Sequence, residues 1–331
     1  MELIDTTDDG IARAAAHMRA GGLCALPTET VYGLGADATN DTAVARIFAA
    51  KGRPQINPVI VHYLNVRDMA DDVMLPPVAL ELASIFWPGP LTLILPRKEG
   101  SRLSLLTSAG LPTQGVRCPD HPVARKLLAA LGKPIAAPSA NASGTMSPTT
   151  PQHVINSLGD AAEMVLAGGK ARVGLESTVV DVTGERPVML RPGAVTVEDI
   201  EQALGIKIDV EIEAVDDRPK SPGQLLKHYA PDTPLRLRAV DVKKDEALLA
   251  FGSLKFMGVE GGGFARDLPM HLRPNLSESG DLTEAAANLF AMLHQLDQQG
   301  VARIAVMDIP NVGLGMAIND RLKRAAGAQA L

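Results

Sequence analysis

The spacing of apolar positions predicts that helices and strands alternate along the chain. Residues 9–20 place Ile11, Ala15 and Met18 on one helical face, whereas 23–26 form a short apolar run that indicates a buried strand. The same patterns predict one helix capped by Asn40 or Asp41, another capped by Asp120, and further helices at 77–86, 152–158 and 196–204. Strands are predicted at 59–63, 91–95, 115–117, 135–137, 178–182 and 188–190. Mixed elements at this density indicate an α/β domain of about 200 residues.

Residues 206–233 interrupt this alternation with charged residues and prolines, a composition typical of a linker. A second α/β unit follows, with predicted strands at 247–251 and 302–309, a long amphipathic helix at 282–298 and a basic helix at 315–325. We therefore expect three parts, which are an N-terminal domain over 1–205, a linker over 206–233 and a C-terminal α/β domain over 234–331.

Composition narrows the classes of function. The hydrophobic fraction of 46% allows a sizeable core, and the aromatic fraction of 3% argues against broad stacking platforms for single-stranded nucleic acid. The formal net charge of −6 argues against a protein that coats nucleic acid through bulk charge. The two cysteines, Cys24 and Cys118, belong to no CxxC or Cys/His cluster, which argues against a structural zinc site and fits a reducing compartment.

The N-terminus, MELIDTTDDG, is acidic and lacks the basic-then-apolar order of a signal peptide. No apolar run in the sequence approaches the length of a membrane span. We therefore expect a cytoplasmic protein without a membrane partner.

Several common nucleotide and hydrolase motifs are missing from the sequence. It contains no GxxxxGK[ST], no GxGxxG between a strand and a helix, no GxSxG and no HExxH. A nucleotide site in this chain must therefore be built in another way.

Two segments at the ends of predicted elements could build such a site. PTETVYG (27–33) leaves a buried strand, and strand-end loops are where α/β sheets place ligand groups. In KGRPQINP (51–58), Arg53 offers a planar fork for phosphate oxygens, Lys51 a point charge, and Asn57 lies between apolar neighbours. Taken alone, the first segment also fits a hydrogen-bonded turn, and the second a helix C-terminus that favours positive charge.

Further polar groups accompany other predicted strands. They are Thr113, Arg117, the segment PSANASG (138–144), Ser147, GLEST (174–178) and LRPG (190–193). Arg53, Arg117 and Arg191 lie in short segments braced by proline or glycine, and an acidic protein has little reason to place cations there unless they meet an anion. Each segment alone fits a turn, but the set predicts an anion-binding cleft.

The segments PTETVYGLG, KGRPQINPVIVH, PSAN, ESTVVD and LRPG resemble, in this order, the signature stretches of the YrdC-like threonylcarbamoyl-AMP synthases. SPGQLLKHYAP (221–231) and GLGMAINDRLKRAA (313–326) resemble the long form of that family, which has an extra C-terminal domain. The resemblance covers nearly the whole chain. It implies an α/β fold, with a YrdC-like mixed twisted sheet and flanking helices, plus a smaller C-terminal Rossmann-like α/β domain.

The resemblance also implies an activity, that of a nucleotidyltransferase. The family joins L-threonine, bicarbonate and ATP into threonylcarbamoyl-AMP and pyrophosphate, and the product is used to modify tRNA. The residues expected beside threonine are Thr30, His62, Arg117, Ala137 and Ser177, with Arg117 paired to the carboxylate. Those expected beside ATP are Lys51, Arg53, Asn57, Thr113, Ser139, Ser147, Arg191 and Tyr229, of which Lys51 and Arg53 are expected to be catalytic.

The chemistry needs charge stabilisation rather than a strong general base. A carbamate formed from threonine and bicarbonate is already an anion, so Lys51, Arg53 and Arg191 fit the task of bringing it to the α-phosphorus of ATP. Mg²⁺ is expected on the ATP phosphates, without a dedicated set of protein ligands. Because the product is water-sensitive, we expect the linker to close over the site through Tyr229. Downstream proteins that transfer the threonylcarbamoyl group to tRNA are expected partners.

Two other classes of function stay open. The first is a double-stranded RNA-binding protein without nucleotide chemistry, which would bind RNA weakly through a locally basic stretch. The same stretch also fits a solvated linker. Its residues are Lys220, Lys227, His228, Arg236, Arg238, Lys243 and Lys244. A carbamoyltransferase of the hydrogenase-maturation type would carry cysteine-rich zinc segments, and two isolated cysteines argue against it.

Overall fold

One mixed sheet organises the first two thirds of the computed structural model, which describes residues 1–212, 219 and 229–327. The sheet has 11 strands among these residues. They are β1 (Glu2–Ile4), β2 (Cys24–Leu26), β3 (Gly33–Asp37), β4 (Val61–His62), β5 (Leu91–Pro96), β6 (Thr113–Arg117), β7 (Ile135–Ala136), β8 (Met164–Leu166), β9 (Thr178–Asp181), β10 (Val188–Arg191) and β11 (Asp209–Val210).

The strand order across this sheet is β1-β8-β2-β3-β7-β4-β6-β5-β9-β10-β11. Strand β3 runs antiparallel to both β2 and β7, whereas β4 runs parallel to β6. In that parallel pair His62 lies opposite Arg117. The pairing of β4 with β6 therefore brings together two residues that are distant in the sequence.

Six helices of the described part of the chain cover the two faces of the sheet. They are α1 (Asp8–Arg19), α2 (Asp41–Lys51), α3 (Pro77–Phe86), α4 (Pro122–Leu131), α5 (Pro151–Leu158) and α6 (Val197–Leu204). Helices α1 and α4 share one apolar cluster with alternate side chains of β2, and α2, α3, α5 and α6 belong to the cluster on the other face. A sheet covered in this way has strands that are apolar on both sides, as the central strands are here.

The residues that cap these helices agree with the sequence prediction, with one exception. Asn40 caps α2, since its side chain accepts from the amide of Ala43, and Thr196 caps α6. The predicted cap of α4, Asp120, was wrong, because His121 accepts from the amide of Val123. A cap must directly precede the first helical residue to reach these amides, and Asp120 lies one position too early.

The C-terminal residues form a smaller α/β unit. Its elements are β12 (Leu235–Arg236), β13 (Asp241–Val242), β14 (Glu246–Leu249), β15 (Gly258–Val259), α7 (Leu282–Asp297), β16 (Arg303–Val306) and α8 (Leu314–Ala326). The strands β12-β16-β14 are parallel, and both helices contribute to the apolar cluster that lies against them. The predicted fold class, a large mixed α/β sheet with a smaller C-terminal α/β domain, is confirmed.

Only part of the predicted linker is described. Of SPGQLLKHYAP, the structure describes 229–231, and Lys220, Lys227 and His228 of the predicted basic stretch lie outside the described residues. Strand β11 extends the N-terminal sheet beyond residue 205. The division of the chain at 205 and 233 stays a prediction. None of the described helices has the length and apolar character needed to cross a membrane.

The N-terminal and C-terminal units share an apolar cluster. Met146, Leu175 and Tyr229 pack in the same cluster as Phe290 of α7. The backbone of α7 also lies directly against Gly174, where an added Cβ would come within 2.6 Å of the carbonyl oxygen of Ala286. We refer to the contact of residues 174–176 with α7 and α8 as the domain seam.

Substituting Gly174 with alanine is expected to destabilise the protein through this seam. Gly174 has φ +75°, and the new methyl group would also meet the α7 backbone, which cannot move like a flexible side chain. The clash adds about 1–3 kcal/mol to the backbone strain. Gly169→Ala is a matched control, because Gly169 has φ +79° but open space around it. A thermal unfolding experiment that shows equal losses for both variants would contradict this contact.

Candidate active site

A narrow cavity of about 50 Å³ lies in the N-terminal domain. Residues of the predicted segments line it together with Tyr229 from the end of the linker. The lining residues are Thr28, Thr30, Val31, Tyr32, Gly33, Arg53, Ile60, His62, Arg117, Ala137, Pro138, Ser139, Glu176, Ser177, Arg191 and Tyr229.

One wall of the cavity is organised by Arg117 at the end of β6. Its guanidinium donates from Nη1 to Oγ1 of Thr30 at 2.9 Å, from Nε to the carbonyl oxygen of Gly89 at 3.1 Å, and from Nη2 to Glu29. Burial raises the pKa of Glu29, but the charge and hydrogen bonds of Arg117 outweigh it and lower this pKa overall. Arg117 is therefore a fixed, buried cation whose orientation is set by its neighbours.

His62 lies beside Arg117 on the neighbouring strand and is also buried. Burial and the adjacent Arg117 charge lower the pKa of His62 to about 3. Its Nδ1 atom is buried and has no hydrogen-bond partner among the described residues. A neutral imidazole with an unused nitrogen at the cavity can donate to or accept from a ligand, depending on its tautomer.

The second wall contains Arg53, which follows the left-handed Gly52 at the end of α2. Its Nη2 donates to the carbonyl oxygen of Pro58 at 2.7 Å and its Nε to that of Asn57 at 3.2 Å. Both partners belong to the same short motif, so KGRPQINP folds back on its own arginine. Burial, together with the charge of Arg191, lowers the pKa of Arg53 to about 10.

Arg191 stands next to this wall and connects it to Ser177. Its Nη2 donates to Oγ of Ser177 and its Nε to the carbonyl oxygen of the same residue, both at 3.0 Å. The hydroxyl of Ser177 is also 2.7 Å from Oγ1 of Thr92. Burial is the main cause that lowers the pKa of Arg191. The guanidinium groups of Arg53 and Arg191 thus face one cavity, where their like charges repel each other. A bound anion would relieve this repulsion.

Lys51 lies behind the cavity rather than in its lining. Its ammonium group donates to the carbonyl oxygen of Ser139 at 2.5 Å and to that of Asn141. Burial, with the charge of Arg53, lowers the pKa of Lys51 well below its ordinary value. Lys51 therefore holds the PSAN segment, while Ser139 of that segment faces the cavity.

Glu176 also lines the cavity, and the sequence analysis named it only as part of the segment GLEST (174–178). Its Oε1 accepts from Ser147 and its Oε2 accepts from Nε of Arg321 in α8 at 2.9 Å. Burial raises the pKa of Glu176, but the charges of Arg321 and Arg191 and the bond from Ser147 outweigh it and lower this pKa overall.

The structure brings most of the predicted residues together. Those that line the cavity are Thr30, Arg53, His62, Arg117, Ala137, Ser139, Ser177, Arg191 and Tyr229. Three others are one contact away, since Lys51 binds Ser139, the Asn57 carbonyl binds Arg53, and Ser147 binds Glu176.

The side chain of Asn57 is notable because both its Oδ1 and its Nδ2 are buried without a partner among the described residues. Buried amides without partners cost free energy, which a ligand could recover. Thr113 is at the far end of β6 from Arg117 and is not in the cavity lining of the described chain.

Other lining residues were missed although they lie in the predicted motifs. Thr28, Tyr32 and Gly33 belong to PTETVYG, and Pro138 belongs to PSAN. Tyr32 fixes this loop, because its hydroxyl donates to the carbonyl oxygen of Gly169 at 2.7 Å. Among the described residues, no group of three or more His, Cys, Asp or Glu side chains is placed to hold a metal ion. Cys24 and Cys118 are both buried.

The low pKa of His62 predicts a loss of stability in acid. Between pH 6.5 and about 3 the unfolded chain binds a proton at this histidine that the folded chain does not, so the unfolding free energy falls as the pH decreases. The slope reaches roughly 1.4 kcal/mol per pH unit for one such group. We expect His62→Gln to flatten the stability profile over this range in denaturant titrations. The exposed His271→Gln serves as the control, and equal profiles for both variants would contradict the assignment.

Comparisons with known proteins identify the family of the chain. Residues 16–193 match the Sua5–YciO–YrdC family model, described as "Telomere recombination", and residues 195–327 match "Threonylcarbamoyl-AMP synthase, C-terminal domain". A Bacillus subtilis protein named threonylcarbamoyl-AMP synthase is 39% identical over 337 residues, which is 99% of this chain and 96% of the relative. A Pyrococcus abyssi protein of the same name is 41% identical over 327 residues, which is 95% of this chain and 93% of the relative.

The fold is also shared with a solved structure over its full length. The crystal structure of Pyrococcus abyssi Sua5 complexed with L-threonine superposes with a TM-score of 0.87 at 35% identity, and the match covers 100% of this chain and 99% of that one. The chain belongs to the Sua5–YciO–YrdC family, in the two-domain form that carries the threonylcarbamoyl-AMP synthase C-terminal domain.

Proposed function

We propose that this chain is an L-threonylcarbamoyladenylate synthase, which forms threonylcarbamoyl-AMP and pyrophosphate from L-threonine, bicarbonate and ATP. The observation that carries the proposal is that three buried arginines line one cavity. Arg117 is held by Glu29 and Thr30, and Arg53 lies beside the like charge of Arg191. The relatives named threonylcarbamoyl-AMP synthase support it over nearly the whole length of the chain.

The Arg117 wall suits an amino acid. Three of the five N–H donors of its guanidinium bond to described residues, which leaves two for the carboxylate of threonine. His62 and Thr30 would flank the amine and the side-chain hydroxyl, and Ala137 and Ser177 would complete the wall. The related Pyrococcus abyssi structure contains L-threonine, which supports this half of the proposal.

The Arg53 wall suits the phosphates of ATP. Arg53, Arg191 and Ser139 face the cavity, and Lys51 and Asn57 lie directly behind them. Forked guanidinium groups are well matched to phosphate oxygens. Mg²⁺ would travel with ATP on its phosphates, where it neutralises part of their charge and keeps most of its water ligands. Tyr229 would close the nucleotide side of the cavity.

The reaction then follows from bringing two anions together. The threonine amine attacks the carbon of bicarbonate, and loss of water leaves a carbamate. A carbamate oxygen attacks the α-phosphorus of ATP, the bond from this phosphorus to the bridging oxygen breaks, and pyrophosphate leaves with the electron pair. Arg53 and Arg191 would stabilise the charge that develops, with Lys51 acting through the PSAN segment that it holds, so no side chain has to act as a strong base. The product would pass to proteins that transfer the threonylcarbamoyl group to tRNA.

The RNA-binding alternative has less support. Arg236, one of the predicted basic residues, is committed to Glu246 and Asp241 within the C-terminal domain. A protein that bound RNA without nucleotide chemistry would also have no use for two enclosed cationic walls. The relatives that match the whole chain are named as synthases rather than as RNA-binding proteins.

The deciding experiment measures pyrophosphate release from ATP while threonine or bicarbonate is omitted in turn. We expect release to require both, and mass spectrometry of a rapidly quenched reaction should show threonylcarbamoyl-AMP. Release that does not depend on threonine would point to a plain ATP hydrolase and would overturn the proposal. A salt-dependent shift of duplex RNA without any pyrophosphate release would favour the RNA-binding alternative.

A further inference from the structure

Helix α8 of the C-terminal domain carries a buried cation that crosses the domain seam. The sequence predicts a basic helix at 315–325, and arginines are mostly exposed in folded proteins, yet Arg321 is only 1% exposed. A buried guanidinium is costly unless its charge is paired and its N–H groups are bonded. The partners of Arg321 therefore indicate why the helix buries it.

The first partner of Arg321 lies in the wall of the active-site cavity. Its Nε donates to Oε2 of Glu176 at 2.9 Å, and the other carboxylate oxygen of Glu176 accepts from Ser147. Glu176 directly precedes Ser177, which binds Arg191. A carboxylate held from both sides in this way keeps the 176–177 segment in one position.

The second and third partners also lie on the nucleotide side. Nη1 of Arg321 donates at 2.8 Å to the carbonyl oxygen of Pro192, the residue that follows Arg191. The guanidinium carbon is 5.4 Å from the ring centroid of Tyr229, within cation–π range. One side chain thus contacts Glu176, the end of the Arg191 segment and the linker tyrosine.

The neighbouring charges on α8 balance Arg321. Asp320 accepts from Nη1 of Arg321 and from Nε of Arg324, both at 2.9 Å. Arg324 points elsewhere, since its Nη2 donates to the carbonyl oxygen of Ile212. Two arginines of one helix therefore share an aspartate and differ in what they reach.

We propose that Arg321 is a positioning residue that the C-terminal domain supplies to the nucleotide half of the active site, where it sets the positions of Glu176, the Arg191 segment and the Tyr229 ring. This inference rests on the proposed function for the identity of the nucleotide. Its contacts in the described chain reach Ser147, Arg191 and Tyr229 directly or through one residue, but not Thr30, His62 or Arg117. Among the described contacts, Ser177, the neighbour of Glu176, is where the threonine wall adjoins them, so the C-terminal domain acts on ATP more strongly than on threonine.

The test compares Arg321→Met with Arg324→Met in the full-length protein. Both variants remove a buried arginine from α8 and leave Asp320 with one partner fewer. We expect Arg321→Met to raise the KM and the Kd for ATP by about tenfold or more, because the variant loses one or two charge-assisted hydrogen bonds. The KM for threonine should stay within about twofold of the wild-type value. Arg324→Met should lower the thermal midpoint similarly and change neither KM. Arg321→Lys should recover part of the ATP affinity, since it keeps the charge without the fork.

The result that overturns the inference is a parallel loss of affinity for both substrates, or equal effects of the two methionine variants. Either would mean that Arg321 supports the fold only. A double-mutant cycle with Glu176→Gln adds a second criterion, because coupled residues give a combined effect smaller than the product of the single effects. ATP binding measured by calorimetry tests the role of Arg321 independently of the proposed synthase activity. If the wild-type chain binds ATP but shows no threonine-dependent turnover, the proposed function fails while the effect of Arg321 on ATP affinity is still decided.

Discussion

Replacement of Arg53 by alanine is expected to lower kcat/KM for pyrophosphate release by about 10³-fold, the upper range for loss of one preorganised charge stabiliser. Arg53 lines the cavity and shares it with Arg191, and burial with this like charge lowers its pKa to about 10. A buried cation whose neighbours are carbonyl oxygens and another arginine is poised for an anion. The α-phosphate and the departing pyrophosphate would supply that anion as their charge develops.

Further variants distinguish the catalytic role of Arg53 from its role in the structure of its loop. Arg53 also braces its own loop through the carbonyl oxygens of Asn57 and Pro58, so Arg53→Ala removes two structural bonds as well. Arg53→Lys keeps the charge but loses the fork, and we expect it to recover only part of the rate. Arg97→Ala is the matched control, because Arg97 likewise donates to a backbone carbonyl, that of Leu103, but lies outside the cavity lining. Near wild-type turnover of Arg53→Ala would refute the phosphate-side assignment.

Amphipathic helices and several short apolar strands were predictable from the sequence, whereas β1, β3 and β8 were not. The predicted helix at 77–86 agrees with α3 because proline begins it and the apolar spacing is regular. Strand β3 was missed and interpreted as loop, since its glycines and alanine have poor strand propensity. Its packing explains that composition, because a Cβ at Gly35 would lie 2.7 Å from Cδ2 of Leu26 in β2. Strand β8 inserts between β1 and β2, a non-local pairing that no local pattern reveals.

The active site was predictable where a short motif carries both the functional group and its support. Arg53 is an example, because the residues that hold it are in the same eight-residue segment. Glu176 and Arg321 are the opposite case, since they meet across 145 residues of sequence. Their pairing could not be read from GLEST or from GMAINDRLKRAA, which fits a solvated basic helix equally well. Burial alone distinguishes the two interpretations.

Loss of Arg117 is expected to raise the KM for threonine by about 10²-fold or more, because a forked, charge-assisted pair with the carboxylate disappears. The ATP affinity should change little, since Arg117 bonds to Glu29, Thr30 and Gly89 rather than to the Arg53 wall. Isothermal calorimetry with threonine and with ATP measures the two affinities separately. Equal losses for both ligands would contradict a threonine-specific role.

The single variant Arg117→Gln has a complication that a second substitution removes. It would leave Glu29 as a buried carboxylate without its cation, and breaking such a pair costs about 3–5 kcal/mol. The double variant Glu29→Gln/Arg117→Gln replaces the ion pair by two neutral amides, which can bond to each other. We expect it to regain most of the lost thermal stability but none of the threonine affinity. If the double variant regained both, the role of Arg117 would be structural; if stability alone returns, its charge is what threonine needs.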